Sequence, residues 1–549
     1  MKKRKSVIFM AVLLIFVMTF SACAQQKDQP ASTNDLESEE KEVAATRDDD
    51  RYGGDIVIAI TSVSNTLDPH YSAGAAANYQ WMQYVYENAI CLGSDGQFYP
   101  QICDFEYSED GLSLKLIVRD DYYFSDRSKV TIDDIVASFE RAGSVGGSFH
   151  TKVMSKVIDT KVEGNSVTYT FSEIAVTALQ EIADVRGPGY IMPKKIIDKL
   201  GEGEQITDIA DVIGTGCYVL KTYNPDVEIV LARNENYVPR DYGGPGVASP
   251  HYAYADTITF SLNTDANSRT AGMIAGDYSI GSITSDMAPY AEKIGLKRHL
   301  LENQWTHAIF FNLSEANKDS IVHNKNFRKA CRAAFDMDAI MLAAMGGDKE
   351  RYILEPSPIV PSNKTYYNEI LKNTEYNIKD KELAKKYLEA SGYNGEEITW
   401  LVSEGSAFYR IAVVGAQMLE DIGINVKLWV VDSGSHGSLR SDPTSGHDIG
   451  AWETQKAITN PAEQSSFVTG TAAGWWEHEK KTELVSVMQS TPTGSPDSVK
   501  AYEEFCELVA EEVPYIIFGT GKSLVYSQPN VVLNYEGTVA YYWNTYFTK

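Results

Sequence analysis

The chain has 549 residues, of which 43% are hydrophobic, 11% aromatic and 23% charged, a composition typical of a globular protein and not of a disordered or fibrous one. Its 75 acidic residues outnumber its 49 basic residues, which gives a formal net charge of −26. A polyanion of this size repels nucleic acid and anionic membrane surfaces, and this excludes a nucleic-acid-binding role. The 33 Tyr and 8 Trp favour a surface that holds ligands by stacking and hydrogen bonding.

Residues 1–22 have the pattern of a secretion signal. Basic residues at positions 2–5 precede an apolar run, Val7 to Phe20, that is shorter than the roughly 20 residues a membrane-spanning helix needs. Small residues follow at once, as a cleavage site requires. We therefore predict a cleaved signal peptide, and a retained membrane helix is the alternative.

Cys23 directly follows Ser21 and Ala22, a pattern that resembles the bacterial lipobox, in which the Cys is acylated and becomes the mature N-terminus. The residues after it are rich in Gln, Asp, Glu, Ser and Thr and cannot bury a core. An acylated Cys on a solvated tether holds a soluble domain at the outer face of a membrane. We predict lipidation (palmitate) at Cys23 and a disordered acidic tether over 23–51. An ordinary signal peptide with an accidental Cys is the alternative.

The remaining cysteines are too sparse for a disulfide scaffold. They are Cys91, Cys103, Cys217, Cys331 and Cys506. Their number is odd, so at least one is unpaired. Cys91 and Cys103 are close enough in sequence to form a disulfide, and small buried thiols are the alternative. The sequence contains no CxxC motif and no Cys/His cluster with zinc spacing.

Strands and amphipathic helices alternate along the rest of the chain. Hydrophobic alternation predicts strands over 54–61 and 112–118. Thr131 and Asp134 then form a capping-box-like pattern that opens a helix.

The C-terminal half contains a predicted βαβ unit. The predicted elements are a helix over 380–391, a strand over 398–402, a helix over 407–422 and a strand over 424–431. Short links between them imply a parallel pair of strands and a right-handed crossover. Ligands of open parallel sheets lie beyond the carboxyl ends of the strands, so Ser403 and Glu404 are candidate ligand contacts.

The sequence contains no catalytic motif: there is no P-loop, no HExxH and no GxSxG. Gly214 and Gly216 lack the third glycine of a dinucleotide fingerprint, and we interpret them as a turn into a strand over 217–220. We therefore predict no catalytic residue, no cofactor and no enzyme activity.

Two further groups of residues have open interpretations. His436 and His447 lie in a Gly/Ser-rich stretch over 432–450, which we interpret as a loop; with no third ligand at fixed spacing, we predict no metal site. Trp475 and Trp476 are either a platform for a ligand or part of the packing of a loop.

Short motifs in a fixed order carry a resemblance to a known family. They include Gly53-Gly54-Asp55, Thr66-Leu67-Asp68-Pro69, Tyr86-Glu87, Asp110-Gly111, Phe124-Ser125-Asp126, Ser138-Phe139-Glu140-Arg141, Arg233-Asn234, Phe327-Arg328, Ala334-Phe335-Asp336 and Val513-Pro514-Tyr515. With these motifs the chain resembles the bacterial extracellular solute-binding protein family 5, the oligopeptide-, dipeptide- and nickel-binding lipoproteins of ABC transporters. The resemblance runs from Tyr52 to about Thr520. Arg127 stands where the family usually has Gly.

The resemblance implies an α/β, two-lobed periplasmic-binding-protein type II-like fold. Lobe one would comprise 52–304 and 517–549, with an extra subdomain at about 91–201, and lobe two would comprise 305–516. A ligand buried between the lobes would contact both of them only in a closed state.

The function implied by the resemblance is the substrate-binding component of an ABC importer. The chain would be a lipid-anchored monomer on the outer face of the cytoplasmic membrane. It would capture a peptide or a polar solute of similar size and deliver it to the permease subunits. A receptor for a metal chelate, a sugar or another non-peptide solute is the alternative within the binding class, and a secreted enzyme is the alternative from another class.

The resemblance also implies where the ligand lies. Trp452 matches the family's pocket Trp, whose indole would lie along the ligand. Peptide-binding members carry an Asp a few residues later, which pairs with the amino terminus of the peptide, and that Asp is absent here. Glu453 is the only carboxylate between Trp452 and Pro461 and is the candidate partner of an ammonium group, and Gln455 is the nearest positional substitute for the Asp. Asn78 is a further candidate ligand contact.

Overall fold

The computed structural model describes residues 49–549 except 64, 72–75, 458, 470–472 and 535–540. The predicted signal peptide, Cys23 and nearly all of the predicted tether therefore lie outside the described residues. The strands are β1 Asp55–Ile60, β2 Ile90–Leu92, β3 Phe98–Pro100, β4 Cys103–Tyr107, β5 Ser113–Val118, β6 Val157–Glu163, β7 Ser166–Phe171, β8 Tyr218–Asn224, β9 Glu228–Arg233, β10 Thr257–Leu262, β11 Ile280–Gly281, β12 Lys297–Phe311, β13 Tyr352–Ile353, β14 Glu397–Ser403, β15 Asn425–Val431, β16 Ile449–Gln455, β17 Tyr515–Ser527, β18 Val531–Val532 and β19 Tyr546–Phe547.

The α-helices connect these strands and cover the sheets. They are Ala76–Val85, Ile132–Val145, Gly147–Lys152, Ala178–Ala183, Lys194–Lys199, Ala266–Ala275, Ala288–Lys293, Lys325–Ala334, Met337–Ala344, Ile370–Asn373, Lys381–Ser391, Ala407–Glu420, Ser433–Ser441, Glu479–Ser490 and Pro496–Glu512. In the part of the chain that the structure describes, no helix has the length and apolar character needed to span a bilayer.

The long strands β12 and β17 lie inside an eleven-stranded mixed sheet. Its order is β15-β14-β16-β12-β17-β11-β1-β10-β9-β8, and β13 also pairs with β17. β12 and β17 are antiparallel, and their register breaks between Leu301 and Trp305, opposite Ser523 and Gly521. The two strands therefore contribute to both ends of the sheet, on either side of this break.

Each end of the large sheet has its own hydrophobic core. The end with β1, β8, β9 and β10 packs against Trp81 and Tyr84 of the helix Ala76–Val85, together with Trp543 near the C-terminus. The end with β12, β14 and β16 is covered on both faces by two further clusters of buried side chains. The strands β1, β5 and β8 confirm the three strands predicted in the N-terminal half, within a few residues at each end.

The turn at Gly214 and Gly216 is confirmed, and it needs glycine because two backbone segments meet there. A Cβ atom at Gly214 would lie 2.0 Å from the carbonyl oxygen of Val85, and one at Gly216 would lie 2.3 Å from that of Tyr84. A side chain at either position would overlap the end of the helix Ala76–Val85.

A separate four-stranded antiparallel sheet, β4-β5-β7-β6, forms the core of residues 89–191, which we call the small-sheet region. The helix Ile132–Val145 buries Ile135 and Phe139 on this core, and Thr131 and Asp134 form the predicted capping box at its start. Cys91 and Cys103 are buried free thiols and form no disulfide. Arg127 adopts a φ of 69°, a left-handed conformation that explains why the resembled family usually has Gly there.

A buried ion pair joins Arg141 of the small-sheet region to Asp68, which lies in the segment after β1. Arg141 Nη1 and Nη2 donate to the two carboxylate oxygens of Asp68 at 2.9 and 2.6 Å. Asp68 also accepts hydrogen bonds from the backbone N–H groups of His70 and Ile206. Burial alone would raise the pKa of Asp68, but the hydrogen-bonded Arg141 guanidinium outweighs it, and the pKa lies below its usual value. The motifs that contain Asp68 and Arg141 thus have a structural role.

The predicted βαβ unit is confirmed. β14 and β15 are parallel, with Glu397 opposite Asn425 and Ser403 opposite Val431, and the helix Ala407–Glu420 connects them. The preceding helix, Lys381–Ser391, ends at Gly392 as predicted, where the backbone has a φ of 75°.

The interpretation of 432–450 as a continuous loop is wrong. Its first part forms the helix Ser433–Ser441, because the side chain of Asp432 accepts hydrogen bonds from the N–H groups of Gly434 and Ser435 and caps the helix. His436 lies on this helix and stacks on Phe408. Among the residues that the structure describes, no group of three or more His, Cys, Asp or Glu is placed to hold a metal ion.

Candidate functional site

β16 directs the predicted binding residues to opposite faces of the large sheet. Glu453 lies opposite His307 of β12, Gln455 lies opposite Trp305, and Trp452 lies opposite Ala308. Successive side chains of a strand point to opposite faces. Glu453 and Gln455 therefore share one face, and Trp452 lies on the other.

The indole of Trp452 is packed among core side chains and is only 6% exposed. Its ring stacks on Phe310 with 4.8 Å between centroids and meets Phe467 and Tyr515 edge-on at 5.4 and 5.8 Å. A Cβ atom at Gly474 would lie 3.2 Å from the indole, so the backbone of this glycine also covers the ring. Most of the surface of Trp452 is used in packing.

Trp475 and Trp476 pack against the same core as Trp452. The ring of Trp475 meets Phe310 edge-on at 6.3 Å, and the ring of Trp476 lies 6.2 Å from Phe505. These contacts favour the packing interpretation of the two tryptophans over a ligand platform.

Glu453 lies beside a neutral imidazole. Its Oε1 is 3.6 Å from Nε2 of His307, and its side chain is 44% exposed. Burial, aided by the nearby charges of Arg351 and Arg410, lowers the pKa of His307 to about 4, so this contact is not an ion pair at neutral pH. Partial desolvation also raises the pKa of Glu453.

A cavity of about 400 Å³ lies between the small-sheet region and the segment that follows β16. The charged residues of its first wall are Lys152, Glu181, Asp184 and Arg186. The second wall contains Trp305, Gln455, Lys456 and Glu463. Polar and charged side chains on both walls, with one tryptophan, match the chemistry of a polar organic ligand.

The charges of the first wall neutralise one another. Arg186 and Asp184 form a bidentate pair, in which Nε donates to Oδ1 and Nη2 donates to Oδ2, both at 2.8 Å. The Nζ atom of Lys152 lies 2.5 Å from Oε1 of Glu181. Arg186 also donates a hydrogen bond across the cavity to the side-chain oxygen of Gln455. This bond connects the two walls directly.

The second wall contains two ionisable groups with displaced pKa values, Lys456 and Glu463. Lys456 is 4% exposed, and its Nζ donates to the backbone oxygen of Glu355 at 3.4 Å. Burial lowers the pKa of Lys456 to about 7, although the nearby charge of Glu355 acts in the opposite direction. Glu463 accepts hydrogen bonds from the N–H of Asn460 and the hydroxyl of Thr459, and burial raises its pKa to about 8.

Ser403 and Glu404 are not among the described residues that line this cavity. The carbonyl of Ser403 accepts a hydrogen bond from the hydroxyl of Ser406 at 2.6 Å, and Ser406 in turn caps the helix Ala407–Glu420. Glu404 is exposed in the same turn. The backbone of Asn78 belongs to the helix Ala76–Val85, and its side chain lies outside the described residues.

Asp184, Arg186, Lys456 and Glu463 line the cavity but were not predicted from the sequence as site residues. A single lysine is usually solvated, so the local sequence does not distinguish Lys456 from a surface lysine. The one sequence signal that could have identified Lys456 was its position. It directly follows Gln455, in the segment where the family resemblance implies an Asp that this sequence lacks.

Comparisons with known proteins identify the family. The model for bacterial extracellular solute-binding proteins, family 5 (middle part) matches residues 97–482. The oligopeptide-binding protein AppA of Bacillus subtilis is 23% identical over 551 residues, which cover 94% of this chain and 93% of AppA.

Solved structures show the same fold. The structure of AppA from Bacillus subtilis in complex with a nonapeptide has a TM-score of 0.69 and 18% identity, covering 91% of this chain and 100% of that chain. NikA from Brucella suis in complex with Fe(III)-EDTA has a TM-score of 0.72 and 18% identity, covering 88% and 97%. The predicted periplasmic-binding-protein type II-like fold is therefore confirmed. Because the family model matches most of its length, the chain belongs to the bacterial extracellular solute-binding proteins of family 5.

Proposed function

We propose that this chain is the substrate-binding component of an ABC importer, and that it captures peptides in the cavity between the small-sheet region and the segment after β16. The observation that carries the proposal is this cavity of about 400 Å³, whose two polar walls are connected by the hydrogen bond from Arg186 to Gln455. The name of the relative AppA, an oligopeptide-binding protein, supports a peptide as the ligand. The captured ligand would pass to membrane permease subunits.

The proposed motion is closure of two lobes, one made of 52–304 and 517–549 and the other of 305–516. Support comes from β12 and β17, whose register breaks between Leu301 and Trp305. An ion pair between Lys522 and Glu302, with a distance of 2.7 Å, lies at this break. The chain would then cross between the lobes twice, near Leu301 on β12 and near Lys522 on β17, and the second of these positions lies a few residues beyond Ile517.

Ligand binding should compact the protein without turnover. We expect a mixture of tripeptides to pentapeptides to raise the melting temperature and to lower the radius of gyration in small-angle scattering. At a ligand concentration 100 times above Kd, the stabilisation should be about 2.7 kcal/mol by mass action. Free amino acids of the same composition serve as the control. Chemical conversion of the peptides would indicate an enzyme, and binding without compaction would contradict the closing motion.

We further propose that the protein is a monomer held at the outer face of the cytoplasmic membrane by lipid on Cys23. Replacing Cys23 with Ala should move it from the membrane fraction to the medium or periplasm, because stable retention depends on the acyl chains. Cys506→Ala, which alters a buried free thiol, is the matched control and should leave the location unchanged. Retention of the Cys23→Ala protein on membranes after high-salt washing would disprove the anchor.

A further inference from the structure

Lys456 differs from the other basic residues of the cavity. Lys152 pairs with Glu181, and Arg186 pairs with Asp184. Lys456 makes no ion pair with any residue that the structure describes, and its one hydrogen bond, to the backbone oxygen of Glu355, is 3.4 Å long. An ammonium group can donate three hydrogen bonds, so this buried side chain keeps donors for another partner.

A buried ammonium group without a counter-ion is unfavourable in the empty protein. The carboxylate of Glu355 relieves it only in part: its charge raises the pKa of Lys456, but it forms no ion pair with Lys456 among the described residues, and its oxygens accept hydrogen bonds from the N–H of Ser357 and the hydroxyl of Tyr367. Burial lowers the pKa of Lys456 to about 7, and the opposing charge of Glu355 does not cancel this effect. An anionic group that entered the cavity would supply the missing partner.

We propose that Lys456 binds a carboxylate group of the ligand, so that this cavity selects solutes with a carboxylate at the point where the family resemblance implies an ammonium group. The inference rests on the proposed function of the cavity and specifies its ligand. The preceding residue, Gln455, supports this preference for a carboxylate. Gln455 carries no negative charge to pair with an ammonium group, and its side-chain oxygen already accepts a hydrogen bond from Arg186.

The walls limit the charge that the ligand can carry. Lys152 and Arg186 are already paired with Glu181 and Asp184, so among the described residues of the cavity Lys456 is the cation that remains for an anionic group of the ligand. A single carboxylate paired with Lys456 satisfies the buried ammonium group. The ligand is therefore a peptide or similar solute with one carboxylate in the cavity, which comes either from its C-terminus or from an acidic side chain.

The first experiment identifies which carboxylate is bound. The probes are tetra-alanine, its C-terminal amide, its N-acetyl derivative and Ala-Asp-Ala-Ala amide, together with a mixture of non-peptide monocarboxylates, each titrated by calorimetry. Recognition of the C-terminus predicts that amidation weakens binding about 10- to 100-fold while N-acetylation does not. Recognition of a side chain predicts that the Asp-containing amide binds and the Ala-only amide does not.

The second experiment uses the variant Lys456→Met, which keeps the length of the side chain and removes the charge. We expect it to lose about 10- to 100-fold in affinity for the carboxylate-bearing probes. We also expect its melting temperature without ligand to rise, because a buried unpaired charge has been removed. The matched control is Lys500→Met, an exposed lysine of the helix Pro496–Glu512, which should change neither quantity.

The outcomes separate this inference from the proposed function. Binding of peptides with equal affinity by Lys456→Met and the unaltered protein would overturn the role of Lys456 and leave the peptide receptor intact. Binding of non-peptide carboxylates alone, lost in Lys456→Met, would support the role of Lys456 and overturn the peptide ligand. Binding of none of the probes would overturn both.

Discussion

Replacing Arg141 with Met should lower the free energy of unfolding by about 3–5 kcal/mol, because it leaves the carboxylate of Asp68 buried without its partner. The guanidinium donates to both oxygens of Asp68 and also to the backbone oxygen of Glu204 at 2.9 Å. The pKa of Asp68 lies below its usual value, so its contribution is present at neutral pH and is lost as the pH falls through that lowered pKa. Urea denaturation at pH 7 followed by circular dichroism measures the change.

The control for Arg141 is an ion pair on the surface. Lys161 and Glu163 are 2.8 Å apart and both are exposed, so Lys161→Met should hardly change the stability. Equal effects of Arg141→Met and Lys161→Met would show that the pair of Asp68 and Arg141 does not hold the small-sheet region in place.

Replacing Trp452 with Ala should lower the free energy of unfolding by about 3–5 kcal/mol, as for other large aromatic side chains removed from a core. The indole fills the space between Phe310, Phe467 and Tyr515 and is almost fully covered. Trp452→Phe retains part of this packing and should have a smaller effect. Thermal and urea denaturation of both variants measure the two effects.

Peptide binding by the Trp452→Ala protein also tests the ligand contact that the family resemblance implies for this residue. The family implies an indole along the ligand, whereas its contacts here are with the core. A Trp452→Ala protein of normal stability that no longer binds peptide would favour the ligand contact. Lost stability with unchanged affinity in the folded fraction would favour the packing role.

The fold was predictable because the residues of the identifying motifs make structural contacts with other parts of the same chain. Asp68 and Arg141 pair with each other, and Asp336 caps the helix Met337–Ala344. Arg328 donates to the backbone oxygens of Glu512 and Val513 and so ties its helix to the start of β17. Residues with such contacts appear in the sequence as short motifs with fixed spacing, and each motif reports a local geometry.

The cavity was less predictable because its residues come from separate segments. Arg186 and Lys456 are far apart in sequence, and only the packing of the small-sheet region against the segment after β16 brings them to one space. The helix Ser433–Ser441 was missed for a related reason: Gly and Ser have low helix propensity, and the cap provided by Asp432 together with tertiary packing overrides it.

The position of β17 in the chain determines when the protein can fold. This strand pairs with β11, β12 and β13, all of which are synthesised long before it. Neither end of the large sheet can be completed until residues 515–527 are available, so the order of synthesis delays the assembly of both cores. Pairing between such distant segments makes folding slow. Until then the edges of β11 and β12 that pair with β17 are open, and such edges are templates for pairing with other chains.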